Sequence, residues 1–167
     1  MMGRSWSWPT RAFWLTSLPS DRMDILHQLR GYAFRIPNHV VAEVEYEDQK
    51  KRLHDAFAEG TLSEIEITDI AEIALYAELR RVLGDGESAC LAVAATRRWV
   101  MAGDEKGRLR REVMERLGEG YLLNTPGAIV EALRAGILTV SEAEEIRMEL
   151  ARRRFVMSDV PPFEELL

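Results

Sequence analysis

The amino-acid sequence predicts an α/β fold, a three-layer α/β/α sandwich with a mainly parallel central sheet, and three observations predict it. Short apolar runs alternate with segments of helical period along the chain, the pattern that links parallel strands through crossover helices. The 167-residue length suits one domain, and contents of 47% apolar and 30% charged residues supply a core and a solvated surface. Residues 83–111 compress the pattern into a glycine-bearing turn, a small-residue helix, a short apolar strand and an acidic turn that opens another helix.

Residues 1–20 stand apart, because Trp6, Trp8 and Trp14 interleave with Arg4, Arg11, Pro9 and Pro19. Tryptophan beside arginine either stacks on bases or forms a segment that covers the core. Asp21 is placed to cap a helix over 22–30, with Met23, Leu26 and Leu29 on one face and Gly31 as its stop. Residues 32–36 alternate as a strand, and Pro37 punctuates its end. Asn38 is the expected N-cap of one helix running to about residue 58, with Val40, Val44, Leu53 and Phe57 as its apolar stripe. Glu43 then lies in the first turns of that helix, beside its buried edge.

Leu62, Ile65 and Ile67 read as the next strand, and Asp69 with Glu72 as a capping-box-like start to a helix over 70–82. Gly84 and Gly86 are expected to end that segment through positive φ. Residues 88–95 are almost all small and apolar, so that helix is expected to be buried, with Cys90 and Ala94 against the sheet. Trp99, Val100 and Met101 form a short strand, followed at once by Asp104 and Glu105. Leu109, Val113 and Leu117 mark one face of a helix that Gly118 and Gly120 end. Residues 121–123 make another strand, and Asn124-Thr125 caps a helix begun by Pro126. Ser141 with Glu144 reads as a capping box for a last helix ending near Arg154. Residues 1–158 are taken as a single domain, and the acidic and apolar tail 159–167 either packs or is a free peptide for a partner.

Composition excludes several classes of function. A net charge of -6 argues against a general polyanion binder, because non-specific nucleic-acid affinity rests on cationic neutralisation of phosphates. Any nucleic-acid role needs a local basic patch, and around Asp104 the residues Lys106, Arg108, Arg110 and Arg111 supply one, with Arg152, Arg153 and Arg154 as a second cluster elsewhere. A solvated helix surface paired with Glu112 and Glu115 is the plainer account of the first. A single cysteine excludes an internal disulfide, and His27, His39 and His54 lack zinc-site spacing. No apolar run has the length of a membrane span, and the N-terminal residues lack the apolar core of a signal peptide, so a cytoplasmic protein without membrane partners is expected. The G-x-G-x-x-A match over 84–89 follows a segment of helical period, whereas a dinucleotide fingerprint needs a strand there.

Asp104 follows a short strand, the position where open α/β sheets hold ligands, and Glu87 opens the preceding helix. Acids at helix starts also favour the positive end of the helix dipole, so neither position alone implies chemistry. The stretch L-G-x-G-E-S-A, an apolar helix, a short strand and D-[DE]-x-x-x-R resembles the second half of a PIN domain. The run LLNTPGAIVEALRAGIL over 122–138 continues that similarity, and residues 22–43 carry it more faintly. The resemblance implies a metal-dependent endoribonuclease lineage similar to the toxins of toxin-antitoxin pairs, with homodimers and antitoxin-like partners. It implies catalytic carboxylates at Glu43, within V-x-x-E-V, and at Glu87 and Asp104. Asp104 would be the central ligand of Mg2+ or Mn2+, Glu87 and Glu43 would hold the ion or its waters, and Thr125 would present a hydroxyl. Such hard cations take several carboxylate oxygens and activate water for phosphodiester hydrolysis. Lys106, Arg108 and Arg110 would contact RNA. The family's first aspartate would fall near Thr10, and no acid precedes Asp21, so weak metal binding is expected. The alternatives are a non-catalytic interaction module on the same fold and an unrelated α/β ligand-binding domain.

Overall fold

A computed structural model describes residues 10–13, 24–104 and 107–167. Five parallel strands form one sheet in the order β3-β2-β1-β4-β5: β1 Thr10–Phe13, β2 Tyr32–Pro37, β3 Leu62–Ile65, β4 Val100–Ala102 and β5 Leu122–Leu123. Helices cover both faces, giving the three-layer α/β/α sandwich expected from the alternating pattern. They are α1 Asp24–Gln28, α2 Asn38–Glu43, α3 Glu47–Ala58, α4 Ile70–Leu79, α5 Asp85–Arg97, α6 Arg108–Arg116, α7 Thr125–Arg134 and α8 Val140–Arg152. No helix among the described residues is long and apolar enough to cross a membrane.

The small-residue helix α5 is the hub of the core. Its residues from Ser88 to Ala94 are buried, and it packs against α2, α4, α6, β2 and β4. Cys90 and Ala94 are 5% and 0% exposed, as their setting in a small apolar run required. Short side chains let backbones approach closely there, so each added methylene would meet a neighbour.

Five local expectations fail. The single helix expected over 38–58 is two, with Val44 and Tyr46 in extended backbone between them. The break lets α2 pack on α5 while α3 packs on β3, which one straight helix could not do. Pro37 rather than Asn38 is the N-cap, so Glu43 closes a short helix instead of lying in the first turns of a long one. Gly84 and Gly86 lack positive φ; Gly84 is the extended N-cap of α5 and Gly86 lies in its first turn. Gly118 and Gly120, after α6, do adopt positive φ.

The other two failures concern caps. Asp69 caps α4 by accepting from the Ala71 N–H at 2.7 Å, but Glu72 takes no part. Its carboxylate is 1% exposed and forms a two-pronged ion pair with Arg97 at 2.5 and 3.0 Å, tying α4 to the end of α5. The capping box of α8 uses Thr139 and Glu142, not Ser141 and Glu144. Glu144 instead accepts the Phe163 N–H at 2.8 Å. That bond, the Arg147 guanidinium over the Phe163 ring at 4.6 Å and the full burial of Phe163 pack the C-terminal tail onto α8.

Candidate functional site

The strand order reverses direction at β1: the chain moves outward through β2 and β3, then returns to place β4 on the other side. Crevices outside the carboxyl ends of strands at such a switch point are the ligand sites of open α/β sheets. β2 ends at Pro37 and leads directly into α2, β4 leads to Asp104, and β5 leads into α7 at Thr125. α5 ends just before β4 begins, so its N-terminus stands at the same carboxyl edge.

Glu43, Glu87, Asp104 and Thr125 therefore share one edge of the sheet, each supplied by a different segment. Glu43 Oε1 accepts the Gly86 N–H at 3.0 Å, which ties the end of α2 to the start of α5. This contact explains Gly86, since a Cβ there would stand 2.5 Å from Glu43 Oε2 and 2.9 Å from Val40 Cγ2. Glu87 Oε2 accepts the Gly84 N–H at 2.9 Å, the carboxylate half of a capping box. Asp104 receives both the N–H of Thr125 at 2.8 Å and its hydroxyl at 2.5 Å. Thr125 is 0% exposed, so this clasp fixes the loop after β4 against the start of α7. Asn124 caps α7 as the sequence required, accepting from the Gly127 N–H at 2.8 Å.

Glu43, Glu87 and the neighbouring Asp85 all lie where the helix dipole of α5 is positive, which lowers the cost of gathering acids there. The Tyr76 hydroxyl donates to Asp85. That bond first, and burial second, raises the phenol above its usual value, so Tyr76 stays a donor. Neither residue stood out in the sequence, because the pair joins two helices through a turn and follows no periodic pattern. His39 packs its ring on Tyr76 at 4.9 Å between centroids, next to Asn38 at the start of α2.

Among the described residues, no group of three or more His, Cys, Asp or Glu side chains is set to hold a metal ion. The three carboxylates share an edge, and each is engaged by a backbone N–H. Thr10 begins β1, level with Tyr32 at the start of β2, whereas Phe13 pairs with Met101. Thr10 thus does not occupy the strand end that the sequence assigned to it. Parallel pairing with β2 and β4 fixes the direction of β1 and carries Thr10 toward the amino edge.

Lys106 and the tryptophans Trp6, Trp8 and Trp14 lie outside the described residues. Arg108 and Arg110 open α6 just downstream of Asp104, and Arg108 donates to the Val82 carbonyl at 3.1 Å. The first turn of α6 holds no acid, and Glu112 pairs with Arg116 rather than with these arginines. Cations at a helix N-terminus oppose the dipole, at a cost of about 0.3–1 kcal/mol each.

A family model, DUF3368, described as a PIN domain, matches residues 17–160. No curated protein and no solved structure matches the chain.

Proposed function

Because the chain belongs to the PIN-domain family, whose model spans residues 17–160, we propose that it descends from metal-dependent endoribonucleases and acts on RNA phosphodiester bonds with Mg2+ or Mn2+ bound weakly. The observation that carries this reading is the position of Glu43, Glu87, Asp104 and Thr125 in four segments that meet the carboxyl edge of the sheet, beside the switch point. Carboxylate oxygens with a hydroxyl are the donor set these cations prefer, so the residues fit the ion in chemistry. Asp104 would be the central ligand, Glu87 and Glu43 would hold the ion or its waters, and Thr125 would orient Asp104. When bound, the ion would offset phosphate charge and make water a stronger nucleophile.

The chain's own residues account for the rest. The Thr125 clasp fixes the Asp104 carboxylate in one orientation before any ligand arrives. Arg108 and Arg110, together with Lys106, would bind the RNA backbone through phosphate contacts that fix position rather than sequence. Each of the three carboxylates already accepts a backbone N–H, which leaves less free acceptor capacity and supports weak binding. That same observation favours a second reading, an interaction module that keeps the fold without cleaving. In the toxin lineage, homodimers and an antitoxin-like peptide would be the partners, in the cytoplasm.

Manganese titration by calorimetry, run beside cleavage of a mixed single-stranded RNA, separates the two. Metal-dependent cleavage by the wild type that disappears in Asp104→Asn supports the nuclease. Absence of both metal binding and cleavage would point to the interaction module.

A further inference from the structure

On the amino half of β2, away from the Asp104 edge, lies a cleft of about 240 Å³. Its floor is formed by Tyr32–Arg35 in β2, one wall by Leu26 and His27 of α1, and the other by Gly60 and Thr61 leading into β3 and by Ser63 within it. Arg35 and Ser63 are paired across the two strands, and the guanidinium donates to the Ser63 hydroxyl. His27 Nδ1 lies 3.3 Å from the Thr61 hydroxyl oxygen. Two strands and a helix thus deliver one guanidinium, one imidazole and two hydroxyls into the same small space.

The charge balance of this cleft is unusual. Arg35 is partly buried and permanently charged, and it carries five N–H donors. Among the described residues no carboxylate lies within ion-pair distance of it, and its hydrogen bond goes to a neutral hydroxyl. Other partly buried arginines are paired: Arg97 with Glu72, Arg116 with Glu78 and Glu112, Arg147 with Glu144. A cation withdrawn from water without a counter-charge is costly, and an arriving anion removes that cost. Glu64 follows Ser63 in the strand and projects from the opposite face, so it does not supply the missing charge.

We propose that this cleft is a binding subsite for a phosphate monoester. Arg35 would grip the phosphate through its fork, and His27, Thr61 and Ser63 would reach the remaining oxygens from other directions. A tetrahedral anion uses donors spread in this way, whereas a planar carboxylate is satisfied by the fork alone. Ala33, exposed on β2, offers an apolar surface for the carbon body of the ester. The subsite is independent of the Asp104 edge and does not require cleavage there.

The test is calorimetric titration of the full-length protein at fixed ionic strength with inorganic phosphate, uridine 5′-monophosphate, uridine and acetate. Saturable binding of uridine 5′-monophosphate, tighter than inorganic phosphate and absent for uridine and acetate, is expected. Equal affinity for inorganic phosphate and the monoester would overturn the monoester in favour of the free ion. Arg35→Met should weaken binding roughly tenfold or more, since a hydrogen-bonded charge is removed, while Arg35→Lys should retain part of it. Should Arg35→Met fail to melt cooperatively, His27→Ala, at an exposed position, must still weaken binding. No saturable binding by the wild type, or unchanged affinity in His27→Ala and a folded Arg35→Met, would refute the subsite.

Discussion

Replacing Gly86 by Ala tests how α2, α5 and the candidate site are joined. Inside a helix this change alone favours folding by about 0.5–1 kcal/mol, because glycine loses more backbone freedom. Against that gain stand two contacts, since the new Cβ would lie 2.5 Å from Glu43 Oε2 and 2.9 Å from Val40 Cγ2. Glu43 is exposed and can swing away, but it then loses its 3.0 Å bond to the Gly86 N–H, a charge-assisted bond of roughly 1.5–3 kcal/mol at most and less where solvent reaches it. Val40 is 4% exposed and cannot retreat freely, so overpacking of about 1–3 kcal/mol applies. The opposing terms outweigh the helix gain, and a net loss of about 1–3 kcal/mol is expected. For a domain of this size that lowers Tm by roughly 2–4 °C per kcal/mol.

Thermal and urea unfolding of Gly86→Ala, Glu43→Ala and the double mutant complete the cycle. The double mutant should be less destabilised than the sum of the singles, because removing the Glu43 carboxylate relieves one of the two clashes. A Gly86→Ala protein at least as stable as the wild type would show an unopposed helix gain. The account of Gly86 as a space requirement would then be wrong.

Ala94→Leu should cost about 1–3 kcal/mol in urea unfolding, since Ala94 is 0% exposed in the helix that packs against most of the core. Phe163→Ala should destabilise by about 3–5 kcal/mol, reading out in Tm, because the fully buried ring anchors the tail on α8. Thr10→Asp should raise neither manganese affinity nor RNA cleavage, because Thr10 begins β1; a clear gain in either would mean that the strand is shifted. Two phenols, Tyr76 held up by its bond to Asp85 and Tyr32 by burial and then Glu131, should titrate above the usual value in ultraviolet absorbance. With folded values raised, the stability they contribute is full below about pH 10 and fades as pH rises through their folded pKa, so Tyr76→Phe should flatten that alkaline loss.

The sequence by itself determined the elements whose signals are local. Asn124 with Pro126 announces the start of α7, the apolar run 88–95 announces a buried helix, and Asp104 stands after a strand, because capping and periodicity act within about four residues. Its PIN resemblance over the second half likewise rests on contiguous motifs, and the family match bears it out. Tertiary structure alone decided what depends on partners distant in the chain. The break between α2 and α3 comes from two helices seeking different neighbours, and Gly86 answers to a carboxylate 43 residues away. Glu72 has the spacing of a cap yet is drawn inward by Arg97, 25 residues on. Thr10 lay at a strand end by counting along the chain, but pairing with β2 and β4 set the register of β1 and moved it to the other end. Counting carries a position along the chain only while no strand pairing intervenes, and β1 is held by two neighbours at once.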